Sequence, residues 1–300
     1  MNPTLALLRR EWLQHRFPWL LMATVPTVLM LLLAGFGQVQ FGDADLVGDR
    51  KAGALALAGL FAPTGLHGVV FWLAALILMV GLARRDHADR SVEFWLSLPV
   101  GHARSLAVPL AVHMIAVPIA GLVVGLFSGL LISAVLVARG VGGDAVASLP
   151  WAGMVVGALG LVARLALGVV LATLWLSPLI LGLVALGAWF GRWGLVIGAV
   201  GLGLGSGLMD RLFGQPWLWL AFQSLFERAG RSVINSGSQS FEIEEPQTVA
   251  GVLQLLSDFL VADAGQALGL LASPALIGVL VVSAGLFALL VNWRRRGAGV

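Results

Sequence analysis

From Trp151 to Phe190 the chain carries one charged side chain, Arg164, in an otherwise apolar run. A helix over that run is ~60 Å long at ~1.5 Å per residue, about twice the ~30 Å hydrocarbon core of a bilayer. The run must therefore be broken, lie partly at the interface, or cross twice. Ser177-Pro178 is the expected break, because proline gives no N–H to the turn before it. Five further apolar runs, at 19–37, 66–83, 106–137, 195–209 and 271–293, are candidate spans. With 59% hydrophobic and 11% charged residues and a mean hydropathy of +0.96, the chain lies far from soluble domains, in which roughly 25% of residues are charged. The expected fold is an all-α integral membrane protein, 1–300 forming one transmembrane domain of six helices. The first apolar run continues to Phe36 with no small-residue cleavage site, so no secretory signal peptide is expected.

Charge placement orients these spans. With one crossing in 151–190, Arg9, Arg10, Arg16, Arg84, Arg85, Arg90, Arg104, Arg192 and Arg294, Arg295 and Arg296 share a side with only Glu11, Asp86, Asp89 and Glu93. Most of the acids fall opposite. Cytoplasmic loops are enriched in Lys and Arg, so both termini are expected in the cytoplasm of a bacterial inner membrane. The basic residues are dispersed between spans rather than gathered in a patch, which reads as topology and not as nucleic-acid binding.

Two segments outside the spans have amphipathic character. Residues 1–18 place Leu5, Leu8 and Trp12 on one helical stripe with Arg9, Arg10 and Arg16 mostly elsewhere, as in a helix lying in the interface. Residues 210–270 are expected as an external loop with two short helices.

Most enzymatic chemistry is excluded by residue inventory. There is no cysteine, hence no disulfide or thiolate site. The only lysine, Lys51, lies outside any G-x-x-x-x-G-K-[ST] phosphate loop. The five histidines, His15, His67, His87, His102 and His113, form no H-E-x-x-H pair. Ser206 sits in a glycine-rich stretch, but no histidine follows it to act as a base. Among ionisable groups near spans, His113 serves either a structural hydrogen bond or cargo and proton handling. Arg164 finds no obvious intramembrane acid and lies either in the path or at the outer interface. A metal shared by His67 and His113 is a minor alternative. Gly121, Gly125 and Gly129, and the glycines between 194 and 207, fit close helix–helix approach.

The most polar interruption is RRDHADRSVEFWLSLPVGHARS, residues 84–105. Val92, Trp95 and Leu96, with Phe94 and Leu98 four apart, have helical spacing; Asp89 or Ser91 can cap such a helix and Pro99 would end it. Those apolar side chains are either buried against a partner or lie in the headgroup layer. The order of amphipathic N-terminal RREW helix, span, external loop, span and this segment resembles the membrane subunit of a type-2 ATP-binding-cassette (ABC) exporter. The resemblance rests on Asp89, Arg90, Ser91, Phe94, Trp95, Ser97, Leu98, Pro99 and Val100. It implies that 84–105 is a coupling helix docking into a cytosolic ATPase, with Asp89, Arg90, Ser91, Glu93, Phe94, Trp95, Leu96, Leu98 and Pro99 at the contact. It further implies two ATPase subunits supplying ATP and Mg and a second permease chain completing a homodimer; His113 and Arg164, as ionisable residues near or within spans, are possible path residues. The alternative is a membrane scaffold that recruits some other cytoplasmic partner through 84–105; a pure channel ranks third.

Overall fold

The computed structural model describes residues 3–37, 48–82, 101–235 and 248–296, and every regular element among them is helical. In chain order these are α1 (Pro3–Phe36), α2 (Asp49–Val80), α3 (His102–Ala111), a π-helical turn (Val112–Ala116), α4 (Val117–Gly140), α5 (Gly143–Ser148), α6 (Trp151–Phe190), α7 (Gly194–Phe213), α8 (Trp217–Val233), α9 (Val249–Gly269) and α10 (Pro274–Arg296). Among the described residues, six helical runs are long and apolar enough to cross a membrane: Thr4–Phe36, Asp49–Val80, His102–Gly140, Trp151–Phe213, Val249–Ala272 and Pro274–Arg296. Lipid offers the backbone no hydrogen bonds, so an apolar segment satisfies its own peptide groups as helix.

These six differ from the expected six in four places. The N-terminal amphipathic stretch is not a separate element. It continues without interruption into the first span, with Pro18 and Pro26 inside α1. Its stripe of Leu5, Leu8 and Trp12 remains exposed, whereas Leu7, Arg10 and Glu11 are buried. The second span begins at Asp49 rather than near 66, because Pro63 sits within a continuous helix.

The expected break at Ser177-Pro178 does not occur. Pro178 removes the N–H that would serve the Leu174 carbonyl, and the Ser177 hydroxyl donates to that carbonyl at 2.7 Å. The same device operates between helices at Pro118: the Met114 carbonyl, four residues earlier, accepts from Thr173 Oγ1 at 3.1 Å. The turn comes instead at Gly191, whose φ of +59° suits a residue without a Cβ. There α7 folds back on α6. A Cβ on Gly194 would lie 2.7 Å from the Leu186 backbone. Finally, α9 is long and apolar enough to span, where a short external helix was expected.

The most extensive helix pairing joins α2 to α4. A Cβ on Gly125 would come within 2.6 Å of Thr64 Cα, and one on Gly129 within 2.6 Å of the Leu60 carbonyl oxygen. The glycine ladder thus brings two backbones together, as small residues do in membranes. In α7 the expectation fails for Gly201, Gly203 and Gly207, around which a Cβ would meet nothing within 4 Å. Two apolar cores result. One surrounds Trp175 of α6 and includes Leu106, Met114, Leu276 and Leu290; the other packs Leu55 and Leu60 of α2 with Leu126 of α4 and Met154 and Ala158 of α6.

Candidate functional site: buried polar nodes beside an apolar cavity

The residues 89–98 and Pro99 that the sequence assigns to partner docking, namely Asp89, Arg90, Ser91, Glu93, Phe94, Trp95, Leu96, Leu98 and Pro99, lie outside the described residues. The described part of the molecule holds three buried polar nodes, each tying together helices distant in sequence.

The first node centres on His113, in the π-helical turn between α3 and α4. Its Nε2 lies 3.1 Å from Glu11 Oε2, and both residues are wholly buried. His15, one turn after Glu11, brings Nε2 to 3.8 Å from the same carboxylate oxygen. The two imidazole rings meet edge to face at 5.0 Å, and Trp19 packs at 6.1 Å from His113. Residues four apart on a helix share a face, so α1 presents Glu11 and His15 together to α4's entry. The π-turn supplies the third group from the other side; such turns recur at functional positions in helices.

The second node joins α1, α2 and α4. His67 Nδ1 is 2.8 Å from the Pro63 carbonyl oxygen. Its Nε2 lies 3.1 Å from Thr27 Oγ1 and 3.3 Å from the Ala23 carbonyl oxygen, to which the Thr27 hydroxyl donates at 2.7 Å. Thr27 Oγ1 also contacts Ser128 Oγ at 2.8 Å. His67 therefore ties three helices together inside the bundle, and it is not part of the three-residue cluster around His113, against the minor expectation of a metal shared by His67 and His113.

The third node overturns the expectation that Arg164 lacks an acid. Arg164 Nη2 lies 2.7 Å from Asp263 Oδ2, with both side chains 2% exposed. Arg164 Nη1 donates to the Ser232 carbonyl at 3.0 Å, and the Asn235 backbone N–H donates to Asp263 Oδ1 at 2.9 Å. One charge pair thereby fastens α6, α9 and the end of α8. Nearby, Arg228 lies over the Trp175 ring at 5.0 Å and donates to Ser273 Oγ at 3.1 Å.

Between α2, α6 and α8 opens a cavity of about 560 Å³, lined among others by Phe61, Trp72, Leu165, Val169, Phe226 and Val233. Among the described residues no charged side chain contributes to its wall, and neither His113 nor Arg164 lines it. Sequence reasoning singled out His113 and Arg164 but missed Glu11, His15 and Asp263. The i, i+4 spacing of Glu11 and His15 was legible; their convergence with a residue a hundred positions later was not. No family model, no curated protein and no solved structure matches this chain.

Proposed function

We propose that the chain is the transmembrane subunit of an ATP-driven ABC exporter, pairing with a second permease chain and powered by two copies of a cytosolic ATPase that bind ATP and Mg. The observation that carries this reading is the segment from Asp89 to Val100, with its D-R-S-x-x-F-W-x-S-L-P-V pattern, placed between two span-length helical runs, Asp49–Val80 and His102–Gly140. In this reading both termini lie in the cytoplasm of a bacterial inner membrane. Residues 84–105 transmit ATPase closure to the spans, because a change in the partner shifts the balance between two bundle arrangements. The chain has no phosphate loop of its own, so the energy source is the partner. The outward apolar face of α7, with Leu195, Val200, Leu204 and Leu208 exposed, is available to lipid or to a second copy.

The test is Trp95→Ala. Truncating a buried aromatic anchor costs on the order of 2 kcal/mol, a loss of ~30-fold in affinity. The tagged chain is purified from native membranes, and the P-loop ATPase recovered with it is reconstituted with wild type or variant in nanodiscs. Weakened ATPase binding and lost stimulation of hydrolysis, at equal permease yield, are the expected results. Recovery of a different cytoplasmic partner through 84–105 supports the scaffold instead; unchanged binding and hydrolysis remove the coupling role.

A further inference from the structure

We propose that Glu11, His15 and His113 form a binding site for one divalent transition-metal ion of the zinc class. One ligand atom from each residue lies within 4.8 Å of the others. A four-coordinate ion bound at about 2.0–2.2 Å holds neighbouring N and O ligands about 3.3–3.6 Å apart. The carboxylate-to-imidazole separations of 3.1 Å and 3.8 Å straddle that range. With the two imidazole nitrogens also within 4.8 Å of each other, side-chain movement brings the three donors around one ion.

The donor set decides the ion. Two imidazoles and one carboxylate suit zinc and its neighbours, whereas magnesium and calcium take oxygen ligands. Three protein ligands leave a fourth position open, the arrangement of zinc sites that keep an exchangeable ligand. The absence of cysteine from the chain excludes a competing thiolate site. His113 is fully buried, and its Nε2 is the ring nitrogen turned toward the Glu11 carboxylate.

The geometry also says what such an ion would do. Glu11 and His15 belong to α1, and His113 belongs to the π-turn inside the third span, between α3 and α4. An ion held by all three staples the first helix to the third. This inference is independent of the exporter reading, since it concerns only this chain's own ligands and its outcome is measured without an ATPase.

The experiment uses the full chain in lipid nanodiscs, titrated with Zn²⁺ and, for spectroscopy, with Co²⁺. One Zn²⁺ per chain at micromolar free metal, and a Co²⁺ absorption spectrum of tetrahedral type with no thiolate band, are expected. His15→Ala, at a half-buried position, and His113→Ala should each weaken binding by about 100-fold or more, while His102→Gln, outside the cluster, leaves it unchanged. If His113→Ala fails to fold, wild type and His15→Ala decide the matter. No metal bound by wild type at micromolar concentration, or binding that survives His15→Ala, overturns the proposal.

Discussion

Arg164 and Asp263 illustrate how a charge survives in an apolar run. A buried guanidinium is costly in lipid, but here it faces a carboxylate at 2.7 Å and a backbone carbonyl, and the carboxylate takes a further N–H from Asn235. Pairing is what makes both tolerable, so deleting one partner is worse than deleting both. Arg164→Met leaves Asp263 buried without its cation, and such a loss costs about 3–5 kcal/mol. Arg164→Met with Asp263→Leu should restore most of that stability, because a buried ion pair replaced by apolar groups is often near neutral. Unfolding in mixed micelles across this double-mutant cycle measures the coupling, and additive losses would contradict it. At this scale the sequence shows which residues are anomalous but not their partners. Arg164 stands out in its run, yet Asp263 is one of several acids after residue 210 and nothing local distinguishes it. Glu11 is likewise hidden, because an acid among arginines on an amphipathic helix reads as solvated.

Helices were legible from apolar length, while their ends and joints were less so. Proline was the misleading signal at Ser177-Pro178: Pro178 lies inside a continuous helix, as do Pro18 and Pro63, and the neighbouring serine replaces the missing donor. Glycine was the informative one, though only with a partner helix opposite. Gly125 of α4 faces the Thr64 backbone, so Gly125→Ala forces two backbones apart and should cost about 1–3 kcal/mol, the range for overpacking. Gly265 of α9 has open space around its missing Cβ. Gly265→Ala should therefore be neutral or stabilising by up to ~1 kcal/mol through helix propensity. Thermal unfolding of the two variants side by side checks the contrast; equal effects would mean that the α2–α4 contact is looser than described. The same reasoning explains why the α7 glycines could not be assigned from spacing. Their pattern resembles that of α4, but among the described residues nothing comes within 4 Å of a Cβ at Gly201, Gly203 or Gly207.

For the molecule as a whole, the sides of the bilayer follow from counting crossings, and α9 decides the count. The run Trp151–Phe213 is one stretch by length but two helices by geometry, since α7 folds back on α6 at Gly191. α8 has 17 residues and carries Glu227, Arg228 and Arg231, which is short and charged for a span needing ~20 apolar residues. If α9 crossed while α8 did not, the crossings would be odd in number and Arg294, Arg295 and Arg296 would end opposite Arg9, Arg10 and Arg16, against the enrichment of Arg and Lys on the cytoplasmic side. Keeping α9 outside, clamped to α6 through Asp263, returns an even count and puts all of these arginines together. The cysteine-free chain allows a direct test, with single cysteines introduced at 237, 250, 269 and 297 and probed on intact cells with a membrane-impermeant thiol reagent. Labelling at 237, 250 and 269 but not at 297 is the expected pattern. A spanning α9 would separate 250 from 269, and labelling at 297 from outside would overturn the proposed cytoplasmic side of the C-terminal arginines and with it the proposed placement of the 84–105 segment, on which the proposed ATPase partner depends.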